Sequence, residues 1–65
     1  MSEEISSTFL KKAIGKKVEV LAFGIIYVGI LKKVDRHSGL IRVEDKKDYV
    51  VLEIERIQSF KIFPR

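Results

Sequence analysis

The spacing of apolar residues changes from a helical period near the start of the chain to alternation typical of β-strands. The helical part predicts a short helix that is capped by Ser7 or Thr8 and ends before Gly15. Its apolar face comprises Phe9, Leu10, Ala13 and Ile14. Two helical turns are not stable alone, so we expect this face to cover one open end of the remaining structure, with a loosely ordered tail as the alternative. Residues 1–6 are expected to form a flexible tail.

Five segments rich in β-branched and aromatic residues follow, separated by short polar or glycine-containing turns. They predict strands at residues 16–23, 25–34, 40–44, 49–55 and 58–63, with Pro64 ending the last one. The pattern therefore predicts an all-β fold, a small five-stranded antiparallel SH3-like barrel with a short N-terminal helix, which occupies residues 1–65 as a single domain.

The second strand is the segment around which the fold is organised. Gly29 interrupts its apolar run, and a glycine inside a strand marks a bulge, a bend or a close backbone approach. Gly24 predicts the turn before this strand, and the residues from Asp35 to Gly39 have the composition of the turn after it. A strand that bends at Gly29 can belong to two faces of one sheet, which is how a small barrel closes.

The size of the chain favours self-association. A chain of 65 residues buries only about 60% of its unfolded surface, and such domains commonly need disulfides, a metal or a partner subunit. The absence of cysteine and the single histidine exclude disulfides and a cysteine or multi-histidine metal site. The fourth and fifth strands would be apolar edges of the sheet, and their head-to-tail pairing between copies would close into a ring.

Four residues carry a resemblance to a known family. Gly24, Tyr27, Gly29 and Asp35 have the spacing of the first motif of the Sm-like family, the small barrels that include Hfq. This resemblance implies a homo-oligomeric ring of five to seven copies that binds single-stranded RNA at its central pore.

The chain departs from the family at the residues that hold a uridine base. Ser38-Gly39 stands where the family has Met-Asn, and the turn at residues 54–57 lacks the family's glycine. The uridine pocket therefore does not carry over, and low base specificity is expected. Arg36, His37 and Arg56 remain as the candidate RNA-binding residues, because histidine stacks on bases and arginine contacts phosphate.

Each candidate contact has a simpler alternative. Arg56 can contact phosphate or pair with Glu53 or Glu55. Tyr27 and Tyr49 are interpreted as packing residues rather than stacking platforms. The net charge of +4 and the four lysine pairs indicate either a phosphate-contacting surface or ordinary solvated strand ends.

Two functional hypotheses remain, an RNA-binding Sm-like ring, which we favour, and a structural or protein-interaction barrel that has lost RNA recognition. Enzymatic activity is not expected, because no nucleophile–base set, phosphate loop or metal-ligand cluster is evident, and no cofactor is expected either.

The longest uncharged run, 12 residues, is too short to span a membrane, and the acidic start lacks a signal-peptide pattern. We therefore expect a cytoplasmic protein with no membrane partner. The many Ile, Val, Lys and Glu residues resemble thermophile composition.

Overall fold

Five antiparallel strands form one sheet beside a short helix in the computed structural model, which describes residues 7–63. The elements are α1 (Ser7–Lys12), β1 (Lys17–Ala22), β2 (Ile25–Asp35), β3 (Leu40–Glu44), β4 (Tyr49–Glu53), a 3-10 helix (Ile54–Arg56) and β5 (Ile57–Ile62). This architecture confirms the predicted all-β fold class. The predicted tail at residues 1–6 and the predicted stop at Pro64 lie outside the described residues.

The strand order is β4-β3-β2-β1-β5, so β4 and β5 are the two edges of the sheet, as the sequence predicts. Residues 25–30 of β2 pair with β1, and residues 30–35 pair with β3. Within the described chain Ile30 is the one residue of β2 that is paired on both sides. This stagger between neighbouring strands is the geometry by which a sheet coils towards a closed barrel.

The sheet encloses its own core. The described core residues, each no more than 3% exposed, are Leu10, Ala13, Val18, Val20, Ala22, Leu31, Ile41, Val43 and Leu52. They come from α1, the turn after it and four strands. A six-residue helix is too small to cover a flat five-stranded sheet, so burial to this extent requires the strands to curve around the core in a barrel-like way.

Gly29 lies where the second strand meets the end of β3. A Cβ atom on Gly29 would overlap the carbonyl oxygen of Glu44 and lie 3.0 Å from Cγ1 of Val43. The register between β2 and β3 then shifts between Leu31 and Lys33, which leaves Lys32 as an extra residue. The irregularity predicted for this strand is thus a close backbone approach at Gly29 followed by a bulge at Lys32.

The helix docks on the sheet, and the loosely ordered alternative is therefore wrong for the described residues. Leu10 and Ala13 are fully buried, while the ring of Phe9 packs edge-on against Phe60 with centroids 5.7 Å apart. Ser7 and Thr8 already belong to the helix, so the predicted capping role is wrong for both.

Six strand boundaries differ from the sequence prediction by one or two residues, and two of these differences have a clear physical reason. Phe23, predicted as strand, forms the β1–β2 turn with Gly24; both have positive φ, 57° and 73°. A two-residue turn of this kind matches the twist of the flanking strands, and Gln58 Oε1 fixes it by accepting a 3.1 Å hydrogen bond from the Gly24 amide. The fourth strand ends at Glu53 rather than Glu55, because residues 54–56 form the 3-10 helix.

In the part of the chain that the structure describes, none of the helical segments is long and apolar enough to cross a lipid bilayer.

Candidate nucleic-acid interface

The β2–β3 turn is organised by the side chain of Asp35. Its Oδ1 accepts hydrogen bonds from the amides of His37, at 3.0 Å, and Ser38, at 3.4 Å, and its carbonyl oxygen accepts one from Gly39 at 2.8 Å. This side-chain cap is a contact typical of aspartate in turns, and it lies in the segment whose composition predicts a turn. Because the carboxylate holds the turn from within, the side chains of Arg36 and His37 remain exposed to solvent.

A hydrogen bond from the Ser38 side chain is the largest cause that lowers the pKa of Asp35 below its ordinary value of 3.8, and the hydrogen bond from the Ser38 amide is the next. A carboxylate whose pKa is lower in the folded state stabilises the fold above the unfolded pKa, and this stabilisation is lost as the pH falls through the folded pKa. We therefore expect Asp35→Asn to lower the melting temperature at neutral pH. The difference from wild type should shrink as the pH falls below 3.8. Thermal melts across this pH range check the expectation, and a difference that is independent of pH would contradict it.

The turn between β4 and β5 lies directly against the β2–β3 turn. The amide of Ile54 donates a 2.8 Å hydrogen bond to the carbonyl oxygen of Gly39, and Leu40 is paired with Glu53 in the sheet. Arg36 and His37 belong to the β2–β3 turn, and Arg56 belongs to the turn that lies against it. All three candidate RNA-binding residues therefore belong to one end of the molecule and are exposed.

Arg56 already has a partner. Its Nε lies 3.1 Å from Oε1 of Glu53 in a hydrogen-bonded ion pair, and the two side chains are 62% and 58% exposed. Of the alternatives that the sequence leaves open, the structure thus contains the pair with Glu53. An exposed pair of this kind is worth at most about 1 kcal/mol, so a phosphate group can displace the carboxylate at small cost.

The four residues that carry the family resemblance occupy structural positions. Gly24 forms the β1–β2 turn, and Gly29 makes the close approach to β3. Tyr27 is half-buried and packs against the core, which agrees with its interpretation as a packing residue. Asp35 caps the β2–β3 turn.

Sequence reasoning misses a cluster on the outer face of β3 and β4. The guanidinium of Arg42 lies over the ring of Tyr49, 4.2 Å from its centroid, and its Nε is 3.1 Å from Oε2 of Glu44. This contact is an ion pair without a hydrogen bond, because the Nε of Arg42 has no hydrogen-bond partner. Tyr49 is therefore an exposed partner of Arg42 rather than a packing residue. Alternation along β3 places Arg42 and Glu44 on one face, but only the β3–β4 register brings Tyr49 beside them.

The structure offers no metal site among residues 7–63, where no three histidine or acidic side chains form a cluster. A scan against protein-family models finds none that matches this chain, and a search of curated proteins finds no matching sequence either.

Proposed function

We propose that the chain assembles into an Sm-like ring and binds single-stranded RNA with low base specificity at the turns that surround the pore. The observation that carries the proposal is the 2.8 Å hydrogen bond from Ile54 to Gly39. It joins the two turns that hold Arg36, His37 and Arg56, the residues for which the Sm-like resemblance implies an RNA-binding role.

Assembly is supported by the two edge strands. Both β4 and β5 have one side without a partner strand in the described chain, and Val51 on β4 is 49% exposed. An unpaired edge with apolar side chains favours pairing with another strand. Pairing of β4 with β5 of the next copy would satisfy both edges, and repetition of that contact would close a ring of five to seven copies.

RNA binding is supported by the charge and exposure of the joined turns. Each copy contributes two arginines whose charge is permanent, and the ring repeats them around one opening. Weak contacts per subunit then add up through multivalency. The imidazole of His37 provides a flat surface for stacking. No asparagine occurs in the chain, and uridine and adenine should therefore bind with similar affinity.

The proposal predicts opposite effects for the two members of the Arg56–Glu53 pair. Arg36→Ala combined with Arg56→Ala should lower RNA affinity at least tenfold, or about 1.4 kcal/mol, and should flatten the dependence of affinity on salt because fewer counterions are released. Glu53→Gln should raise affinity, since it frees Arg56 and removes a negative charge. Titrations of labelled oligouridine and oligoadenine at two salt concentrations measure both effects.

The matched control is Lys11→Ala combined with Lys12→Ala, which removes the same charge from α1, outside the two turns. It should weaken binding less than the arginine variant. Equal binding by wild type and the arginine variant would exclude the joined turns as the site. If wild type binds neither RNA at low salt, the alternative function stands, an oligomeric barrel for structure or protein interaction, in which Glu53 neutralises Arg56.

A further inference from the structure

A second basic surface lies on the outside of the barrel, where β2 leaves β1 and joins β3. Three lysines from three segments line one groove there: Lys17 from β1, Lys32 from β2 and Lys46 from the β3–β4 turn. None of them belongs to the two turns that hold Arg36, His37 and Arg56. We call this surface the lysine groove.

Two features of the fold place these lysines. Lys32 is the extra residue at the register shift between β2 and β3, and a bulge of this kind redirects a side chain out of the regular alternation. The ammonium group of Lys17 lies 5.3 Å from the centroid of the Phe63 ring, a cation–π contact that restrains it. The groove is therefore built by specific backbone and ring contacts rather than by a run of neighbouring lysines.

The two acidic residues in the lining of the groove, Glu44 and Asp45, make contacts other than ion pairs with these lysines. Oε2 of Glu44 lies 3.1 Å from Nε of Arg42, and Oδ1 of Asp45 accepts a hydrogen bond from the amide of Lys46. Within residues 7–63, none of the three groove lysines makes an ion pair. The groove thus has three lysines against two acidic residues in its lining, a formal charge of +1, and its lysines are not paired with those carboxylates.

We propose that the lysine groove binds phosphate groups of single-stranded RNA, as a second contact outside the pore. This inference rests on the proposed function for the identity of the ligand. The uncharged residues in the lining of the groove are Val28, Gly29 and Ile30, which offer no side-chain donors or acceptors to base edges. The groove therefore contacts the backbone of the strand and does not distinguish bases.

The test removes the three charges while keeping side-chain length, with Lys17→Gln, Lys32→Gln and Lys46→Gln in one protein. Since each phosphate contact on single-stranded nucleic acid contributes ~0.7 to the slope of log affinity against log salt, the slope should fall by about two. Affinity for labelled oligouridine at low salt should fall at least tenfold. A control with Lys11→Gln, Lys12→Gln and Lys61→Gln removes equal charge outside the groove and should lose much less of both.

A second variant with only Lys32→Gln and Lys46→Gln keeps the contact between Lys17 and Phe63, and its slope should fall by about 1.4. Melting temperatures of all variants show whether the fold is intact. Equal losses in the groove and control proteins would overturn the inference and leave the pore proposal standing. If the groove variant loses binding while Arg36→Ala with Arg56→Ala does not, the groove is a site and the pore is not. Absence of RNA binding by wild type would overturn both.

Discussion

Replacing Gly29 by valine should cost about 3 kcal/mol or more of folding free energy, the upper range for overpacking a structured interior. The added Cβ would overlap the carbonyl oxygen of Glu44. It would also lie 3.0 Å from the carbonyl carbon of Glu44 and 3.0 Å from Cγ1 of Val43. A carbonyl that belongs to the strand backbone cannot move away as a side chain can, so β2 and β3 must separate. For a domain of this size the melting temperature should fall by roughly 20 °C.

The neighbouring position provides the control for this prediction. Val28 is 45% exposed, and Val28→Ala should change stability far less, because it removes few core contacts. Thermal and urea melts of the two variants measure the difference. A melting temperature of Gly29→Val within a few degrees of wild type would contradict the close approach of the two strands at this point. It would also contradict the staggered, barrel-like arrangement that depends on it.

Replacing Val51 by lysine should disrupt assembly. Val51 is an exposed apolar residue on the edge strand β4, and pairing with β5 of another copy would place its side chain inside the contact. Lysines on edge strands prevent such pairing in natural sheets. The protein concentration at which the oligomer dissociates should rise at least tenfold, or about 1.4 kcal/mol for each contact.

Analytical ultracentrifugation over a dilution series measures this shift, and Val28→Lys is the matched control, since it adds the same charge to a strand inside the sheet. Phe60 on β5 is a poor probe of the edge, because its ring packs against Phe9 and the core. If Val51→Lys and Val28→Lys shift dissociation equally, β4 is not the assembly edge.

The elements of this fold could be predicted because each has a local signal. Alternation of apolar and polar residues marks the strands, and the bounds it predicts for β3 are those of the structure, Leu40–Glu44. Asp35 followed by Ser38 and Gly39 predicts the capped turn, and the apolar character of β4 and β5 predicts the edges. The adjacency of Arg36 and Arg56 followed only from the family resemblance, because residues 20 positions apart in a sequence carry no local sign of contact.

The remaining details depend on contacts between distant residues. Phe23 has high strand propensity, yet it lies in a turn that Gln58 stabilises from β5. The end of β4 coincides with the hydrogen bond from Ile54 to Gly39, which pattern reading along the chain does not detect. The choice of Glu53 over Glu55 as partner of Arg56 depends on the 3-10 helix, and the bulge at Lys32 depends on the β2–β3 register.

The central claim, a ring that holds one RNA strand at its pore, is tested most directly by native mass spectrometry of the protein with short oligouridine. The account predicts a single complex of five to seven copies of the 7.5 kDa chain with one RNA strand, and loss of the RNA but not of the ring in Arg36→Ala with Arg56→Ala. A monomer of 7.5 kDa, or a ring that carries no RNA at low salt, would contradict it.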